Sequence, residues 1–244
     1  RDGLGFVMIG GSESFANGGY AGTPLDAIVP VAMSTPTTTA KLELGPIAAE
    51  LSSAGLHHPV TDLTRGLGNN ARAWSTLPAW TSFNATGGLK PGATALVTST
   101  AHGLPLIAVM DAGKGRSMAL CTDSMWRWRF SAQRDGGIAE RAYHRFWSNA
   151  LRWLVRDPEH ARVRVVPRKR RFDLDEEITV GLTALGRDYQ PLPHTRLRAT
   201  LERSDDQAGH GVVSVDDFMT GEDGVVQHQY TELGPGAYRI TAEA

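Results

Sequence analysis

One serine of the chain stands where α/β proteins place nucleophiles. Residues 4–9 form a continuous apolar run, and Gly10-Gly11-Ser12 follows at once. A sharp turn after a buried strand presents side chains at the sheet edge where ligands bind. Ser12 is therefore a candidate nucleophile, which needs a base within hydrogen-bond reach and a third group to orient that base. If the chain is an enzyme, His58 takes the role of base, with His102 as the other candidate, and Asp123 orients it.

The same turn also has a purely structural interpretation. Its glycines allow a tight reversal, and the hydroxyl of Ser12 or Ser14 then bonds to backbone donors. The turn is not a Gly-x-Ser-x-Gly elbow, because Ser14 stands where the second glycine is required. It is neither a dinucleotide fingerprint nor a P-loop, since the glycine spacing and the following residues differ from both. Ser12 and Ser14 are therefore also candidates for binding a ligand or partner without chemistry.

A second segment combines acidic, hydroxyl and aromatic side chains. Asp123 and Ser124 follow a strand predicted at residues 116–122, and Trp126 and Trp128 alternate with arginines directly after them. The carboxyl ends of strands are favoured for function in open α/β sheets, and Trp and Arg commonly anchor protein interfaces. All four side chains are therefore binding candidates. The alternative is a turn role for Asp123 and packing roles for the two tryptophans.

Neither thiol chemistry nor a metal site is indicated. Cys121 is the only cysteine, so no internal disulfide is possible. It lies at the end of an apolar strand, where a buried and inert thiol is expected. The eight histidines show no His-x-x-x-His or other tight ligand spacing, and no cysteine cluster accompanies them. We predict no metal and no cofactor.

Apolar runs and one long amphipathic stretch predict an α/β domain over residues 1–157. The runs at residues 4–9, 94–99 and 105–110 fit strands buried on both faces of a parallel sheet. Residues 138–155 carry apolar side chains in two adjacent rows at every fourth position, which predicts a helix. Asp157-Pro158 ends that helix, because the residue before proline disfavours the helical conformation.

A different pattern follows over residues 158–244. Apolar and polar side chains alternate there with period two, and glycine-containing turns recur at short intervals. This pattern predicts an antiparallel β-sandwich of immunoglobulin-like type. The cysteine pair and core tryptophan of an antibody domain are missing, so the prediction concerns the architecture alone.

Charge and hydropathy exclude two classes of partner within this stretch of chain. The net charge is −1, and the basic run at residues 168–171 is followed at once by acidic residues, so we predict no nucleic-acid partner. No apolar run approaches the about 18 residues that span a bilayer. The chain opens at Arg1 without a methionine, and both ends run into strand-like stretches. We therefore expect a fragment whose targeting or membrane segments lie outside it.

Several motifs together resemble a known family. They lie at residues 3–15, 18–25, 30–31, 58–59, 89–93, 113–116, 122–128 and 143–147. In combination they are similar to the class I glutamine amidotransferase-like domains of bacterial membrane proteins, which often accompany von Willebrand factor A modules. The resemblance covers residues 1 to about 156. It implies a flavodoxin-like α/β domain that is N-terminally incomplete, with earlier strands upstream of Arg1, followed by a β-sandwich and a membrane anchor outside the chain.

The resemblance also bears on activity. Active members hydrolyse glutamine with a cysteine at a Gly-x-Cys-x-Gly elbow, a distant histidine and a glutamate two residues after it. Here Ser12 follows the glycines, and Thr122-Asp123-Ser124 corresponds to the segment of the family's histidine and glutamate. The triad is absent, and a serine without an activating base is a poor nucleophile. The chain resembles a family member that lacks the catalytic cysteine.

These observations lead to one functional prediction and two alternatives. We predict a non-catalytic binding or assembly module of a bacterial envelope protein, membrane-associated and extracytoplasmic (periplasmic). Its partner is a protein of the cell envelope or another domain of the parent chain, and it meets the membrane only through segments outside this fragment. The alternatives are a serine-dependent hydrolase with Ser12 as nucleophile and a carbohydrate-binding module.

Overall fold

The computed structural model describes residues 3–33, 42–64, 68–130, 137–169, 171–173, 176–205, 209–231 and 233–244. The chain forms two compact units, Arg1–His160 and Ala161–Ala244. The first unit ends at His160, whereas the sequence pattern predicts a domain boundary at Asp157.

The first unit contains one mixed five-stranded sheet, a separate two-stranded ribbon and several helices. The strands are β1 (Gly5–Ile9), β2 (Leu42–Ile47), β3 (Ala49–Leu51), β4 (Trp80–Asn84), β5 (Ala93–Ser99), β6 (Pro105–Ala112) and β7 (Gly115–Leu120). Five of them form a sheet in the order β1-β7-β6-β5-β3, and β2 pairs with β4 in a separate ribbon. The described helices are α1 (Pro24–Ile28), α2 (Ser53–His57), α3 (Asn70–Ser75), α4 (Trp126–Arg129) and α5 (Ile138–Leu154), with 3-10 turns at Pro59–Thr61 and Pro158–His160.

The flavodoxin-like α/β fold predicted for this region is wrong. In the five-stranded sheet β1 and β7 run parallel, with Gly5 opposite Arg116 and Ile9 opposite Leu120. Every other pairing among its described strands is antiparallel, and β5, β6 and β7 follow one another as a meander. A flavodoxin-like sheet needs parallel strands joined by crossover helices. The chain is instead mostly β, with 40% strand and 20% helix.

Burial on both faces of the sheet explains why its apolar runs resemble those of a parallel sheet. All six residues of β7 are buried. On one face, Met8, Ala108 and Ala119 pack against side chains of residues 15–33. On the other face α5 packs against β1 and β7. An apolar run therefore indicates that both faces of a strand are covered. It does not show whether the neighbouring strand runs parallel or antiparallel.

The predicted helix at residues 138–155 is confirmed to within one residue as α5. Its buried side chains include Ala139, Ala142, Phe146 and Ala150, whereas Leu151 is 57% exposed, so the buried stripe is narrower than predicted. Two residues beyond the end of the helix, Arg156 adopts a left-handed conformation at φ 59°.

The second unit consists of two antiparallel three-stranded sheets. Its strands are β8 (Val163–Pro167), β9 (Ile178–Ala184), β10 (Arg196–Asp205), β11 (Gly209–Met219), β12 (Val225–Tyr230) and β13 (Tyr238–Glu243), in the orders β11-β10-β13 and β12-β9-β8. The period-two pattern correctly placed apolar residues inward, because Leu182 and Leu197 share one buried cluster between the sheets. The fold predicted for the whole chain, a flavodoxin-like α/β domain followed by an immunoglobulin-like sandwich, is replaced by a mostly β chain with several separate sheets.

Candidate functional site

Two of the predicted site segments meet at one edge of the five-stranded sheet. The Gly10 N–H, just beyond β1, donates to the Leu120 carbonyl at the end of β7 at 2.7 Å. Because β1 and β7 are parallel neighbours, Ser12 and Asp123 follow their strands at the same edge. We call residues 10–14 and 121–124 together the carboxyl edge.

Strand β4 runs along the carboxyl edge and connects its two segments. The Asn84 Oδ1 accepts a hydrogen bond from the Gly11 N–H at 2.9 Å, and Asn84 Nδ2 donates to the Gly11 carbonyl at 2.8 Å. The Asn84 backbone N–H donates to the Cys121 carbonyl at 2.7 Å. Asn84 is only 3% exposed. Sequence reasoning missed this residue, because Asn84 follows Trp80-Thr81-Ser82-Phe83, a segment that mixes aromatic and polar side chains and carries no clear signal.

Close approach accounts for Gly10, and a backbone φ of 148° accounts for Gly11. A Cβ on Gly10 would lie 2.6 Å from Asn84 Oδ1 and 2.6 Å from the Thr122 nitrogen. The N–H groups of Gly10 and Gly11 both donate to protein acceptors, Leu120 and Asn84. Neither N–H is therefore available to a phosphate or an oxyanion, as an anion-binding turn would require.

Ser12 has the exposure of a nucleophile but lacks its partners. Its side chain is exposed and that of Ser14 is half-buried. Within the described ranges, neither hydroxyl makes a hydrogen bond to another residue. The backbone-capping role predicted for these hydroxyls is thus not seen either.

Asp123 and Ser124 hold the edge together through β4. The Ser82 hydroxyl donates to Asp123 Oδ1 at 2.5 Å, and the Ser124 hydroxyl accepts from the Thr81 N–H at 3.1 Å. Thr122 and Ser124 also share a hydrogen bond of 2.7 Å between their hydroxyls. Ser124 is buried, whereas Asp123 is exposed. These contacts are those of a packed turn.

The structure does not bring His58 to Ser12. The His58 ring lies 5.3 Å from the Trp153 ring. Leu154, which follows Trp153 in the chain, packs against Gly5 at the start of β1, so His58 lies near that end of the strand. Ser12 follows the other end of the strand, and five residues of β1 span about 16 Å. His58 is 1% exposed, and its Nδ1 accepts a hydrogen bond from the Val60 N–H at 3.2 Å. Burial first, and then the Arg116 charge, lowers the pKa of His58 to about 3, so the ring is neutral.

The second candidate base, His102, pairs with a carboxylate. Its Nε2 lies 3.2 Å from Glu43 Oε2, and its ring lies 5.6 Å from Phe83. His102 lies in the turn between β5 and β6, and the start of β6 adjoins the end of β7. No contact between His102 and Ser12 occurs in the described part of the chain, so the pair is a histidine and a carboxylate without a nucleophile.

The two candidate tryptophans have opposite environments. Trp128 is 1% exposed, donates its indole N–H to the Pro78 carbonyl at 3.1 Å, and packs against Trp74 and Trp80. Trp126 is 54% exposed. Trp128 is therefore a core residue, and the partner-binding role predicted for it is not available to its ring.

Phe130, which sequence reasoning missed, joins Trp126 at the surface. It is 75% exposed, and its ring lies 6.2 Å from that of Trp126 at an interplanar angle of 61°. The guanidinium of Arg127 lies 5.7 Å from the Trp126 ring, and that of Arg129 lies 5.9 Å from Phe130. Arg129 also forms an ion pair with Glu140 of α5. We call Trp126, Arg127, Arg129 and Phe130 the aromatic patch.

Cysteine and metal chemistry find no support in the described residues. Cys121 is fully buried, and burial raises the pKa of its thiol far above the ordinary value, so the thiol stays protonated. No group of three or more His, Cys, Asp or Glu side chains is placed to hold a metal ion within the described ranges.

Comparisons with known proteins give distant likenesses only. No family model matches the chain, and no curated protein does. Two cytoplasmic proteins of Salmonella typhimurium are similar over 62% of this chain, each at 21% identity with a TM-score of 0.44, and the chain spans 55% and 56% of their lengths. A beta-galactosidase from Bacillus circulans is similar over 61% of this chain and 20% of the enzyme, at 11% identity with a TM-score of 0.17. With TM-scores under 0.5, these likenesses carry no argument about function.

The membrane-associated, periplasmic location predicted above is contradicted. Both Salmonella proteins bear the name of cytoplasmic proteins. None of the helices in the described ranges is long and apolar enough to cross a membrane. The envelope location is withdrawn, and the resemblance to amidotransferase-like domains, which these comparisons do not address, stays a prediction from sequence.

Proposed function

We propose that the chain is a non-catalytic binding module whose first unit contacts a protein partner through the aromatic patch. The observation that carries this proposal is the exposure of two adjacent aromatic rings, 54% for Trp126 and 75% for Phe130. Large aromatic rings with arginines beside them are the side chains that most often dominate the binding energy of protein interfaces.

The patch is held in place by the core beneath it. Trp128, two residues after Trp126, is anchored among Trp74 and Trp80, and the Arg129–Glu140 ion pair links the end of α4 to α5. A short helix fixed in this way loses little conformational freedom on binding, so more of the contact energy is retained as affinity.

The charge of the patch indicates the chemistry of the partner. Arg127 is exposed above the Trp126 ring and forms no ion pair in the described part of the chain. A partner that places an apolar side chain on the rings and a carboxylate beside Arg127 satisfies both features. We therefore propose a protein segment that carries acidic residues next to an apolar one.

Geometry favours this reading over the two alternatives. A serine hydrolase requires an imidazole within reach of Ser12, and His58 is buried near the opposite end of β1. Carbohydrate binding usually relies on a flat aromatic face, but the rings of Trp126 and Phe130 meet at 61° and offer no common plane.

Peptide selection tests the proposal without a known partner. A displayed library of random peptides is selected on the full wild-type chain, and the affinity of the selected peptides is measured for Trp126→Ala, Phe130→Ala, Ser12→Ala and Leu44→Ala. Leu44 is a matched control, because it is a 77% exposed apolar side chain of the same unit outside the patch. We expect acidic-apolar peptides whose affinity falls by about 30-fold in Trp126→Ala, the size of an interface hot spot. Unchanged binding by both patch variants overturns the proposal, and so does loss of binding in Ser12→Ala.

A further inference from the structure

The second unit presents a long, apolar edge strand, β11. In the sheet order β11-β10-β13, β11 pairs with β10 on one side, and no described strand lies on its other side. The strand is 11 residues long and contains no proline, lysine or arginine. Val212, Val213, Val215 and Met219 are each between 48% and 61% exposed. An edge of this kind offers its outward N–H and C=O groups to another strand.

Backbone geometry directs the bonding groups of Val212 and Val215 to the open edge. Val212 lies opposite Glu202 of β10, and Val215 lies opposite Thr200. The Ser204 N–H donates to the chain just before β13. Because the bonding direction alternates along a strand, Glu202 and Thr200 also bond toward β13. Their pairs with β11 are therefore of the type without hydrogen bonds, so Val212 and Val215 direct their backbone groups outward.

A β-bulge in the middle of β11 changes the alternation of its side chains. The register with β10 shifts between Leu201 and Glu202, which leaves Val213 as the extra residue. The outer face of the sheet therefore takes even-numbered residues before the bulge, such as Val212, and odd-numbered residues after it, such as Val215. A strand that pairs with the open edge has to accommodate this change midway along.

A second, antiparallel copy of β11 fits the edge at one register. When position 212 of each copy lies opposite position 215 of the other, the two bulges meet at the centre. Outward-bonding positions then face each other, 212 with 215 and 210 with 217. Outer-face side chains also meet, so Val212 packs against Val215 of the second copy. A shift by one residue loses this match, because outer-face positions would then lie opposite inner-face ones.

The charges of β11 are compatible with this pairing. Asp217 accepts hydrogen bonds from Arg196 at 2.6 Å and from Arg198 at 3.1 Å, so its charge is balanced within its own chain. Asp216 lies opposite an inward-facing position of β10 and accepts from the Ser214 hydroxyl at 2.8 Å. In the register above, positions 216 and 217 face positions 211 and 210. Like charges directly opposite each other destabilise a strand pair, and the two acidic residues of β11 avoid this arrangement.

We infer that β11 is a self-association surface of this chain. Two copies pair antiparallel through β11 about a two-fold axis, and their two sheets become one continuous sheet. Backbone hydrogen bonds and the contacts between Val212 and Val215 stabilise the pair. Each β11 edge is used once, and β13 at the other edge lies close to β8 of the facing sheet, so association stops at the dimer. The surface consists of residues of the second unit alone, so either it or the aromatic patch can fail its test without the other.

Sedimentation equilibrium of the full chain at several concentrations measures the association, and we expect a mass twice that of one chain. Val212→Lys with Val215→Lys places like charges opposite each other and should weaken association by at least about 10-fold. Val212→Lys with Val215→Glu is equally polar but places opposite charges there, so it should remain dimeric. Thr241→Lys is the matched control, because Thr241 is an exposed residue of β13 on the same face of the sheet.

Disulfide formation tests the register. Val212→Cys and Val215→Cys chains are purified separately and then mixed in equal amounts under oxidising conditions. Opposite residues of a hydrogen-bonded antiparallel pair have Cα atoms about 5.5 Å apart, which is within disulfide range. We expect disulfide-linked dimers in the mixture. Neither variant alone should give them, because like positions are three residues apart along the paired strands. Cys121 does not interfere, since it is buried.

Circular dichroism of the variants establishes that they fold, as expected for changes at exposed positions. A wild-type chain that is monomeric at all concentrations overturns the inference. Equal association of the Lys-Lys and Lys-Glu variants also overturns it, because positions 212 and 215 then do not face each other. Absence of linked dimers in the cysteine mixture, or equal linking in each variant alone, overturns the proposed pairing as well.

Discussion

The Asn84 side chain and the Gly11 backbone form a pair of hydrogen bonds across 73 residues of sequence. The carboxamide accepts from the N–H and donates to the carbonyl of the same residue, while the backbone of Asn84 bonds to Cys121. One buried side chain thus joins the segment after β1 to the segment after β7. The carboxyl edge, where the sequence predicted a possible active site, is held closed by its own polar groups.

Replacing Asn84 should destabilise the first unit. Asn84→Ala removes two hydrogen bonds and leaves the Gly11 groups without their partner, which should lower the free energy of unfolding by about 2–3 kcal/mol. Chemical denaturation followed by tryptophan fluorescence measures this, because all six tryptophans lie within residues 1–160. The exposed Asn17→Ala is the control, expected within about 0.5 kcal/mol of wild type. Equal stability of the two variants would show that the hydrogen bonds between Asn84 and Gly11 do not stabilise the first unit.

Gly10 should not tolerate a side chain. Gly10→Ala places a methyl group 2.6 Å from both Asn84 Oδ1 and the Thr122 nitrogen, so the carboxyl edge must shift. We expect a loss of about 1–3 kcal/mol, as for overpacking elsewhere in proteins. At Gly68 an added methyl group meets only the Thr64 side chain at 3.7 Å, so Gly68→Ala is the matched control. A Gly10→Ala chain as stable as that control would show that Asn84 and Thr122 leave room for a side chain at position 10.

The two tryptophans of α4 should respond differently to truncation. Trp128→Ala removes a buried ring and its hydrogen bond to Pro78, and we expect a loss of about 3–5 kcal/mol in the free energy of unfolding. Trp126→Ala removes a ring that is more than half exposed, so its cost should stay below about 1 kcal/mol. Thermal or chemical unfolding of both variants decides the point, and similar losses would mean that the division between core and surface is wrong.

His58 should make the first unit sensitive to acid. Its pKa is about 3 in the folded chain and about 6.5 when unfolded. Between these values the unfolded state binds a proton and the folded state does not. The stabilising effect of neutral His58 is therefore complete above about pH 6.5 and is lost as the pH falls toward 3, by up to about 1.4 kcal/mol per pH unit.

His58→Asn tests this dependence, because asparagine can still accept from the Val60 N–H at the same position. The free energy of unfolding, followed by tryptophan fluorescence from about pH 6 to pH 4, should fall less steeply in the variant than in the wild type. The neighbouring His57→Asn, with an exposed side chain, should keep the wild-type slope. Parallel slopes for wild type and His58→Asn would show that His58 is not buried in its neutral form.

The elements that sequence predicted well are those whose apolar residues follow a recognisable pattern. Strands β1, β5 and β6 carry continuous apolar runs and helix α5 carries a periodic one, and each of them contributes buried side chains to the core. Strand direction left no trace in those patterns, so the parallel sheet was a wrong extrapolation from burial. Strand β4 mixes aromatic and polar residues and pairs with β2 through a register shift, so no period marks it.

The candidate site was harder to predict than the fold. The role of Asn84 depends on a contact 73 residues away, which local sequence does not encode. Trp126 and Trp128 are two residues apart on one helical turn, so their side chains point about 200° apart. One must face the core and the other the solvent, and only the packing of Trp74 and Trp80 decides which.

Acrylamide quenching of tryptophan fluorescence tests most directly whether the aromatic patch is the binding surface. Of the six tryptophans, Trp126 alone is more than half exposed, so it should dominate quenching in the free chain. Saturation with a peptide selected on the wild-type chain should lower the quenching constant markedly, and the same peptide should leave quenching of Trp126→Phe nearly unchanged. Unaltered quenching of the wild-type chain at saturation would contradict the account, because the peptide would then bind away from Trp126.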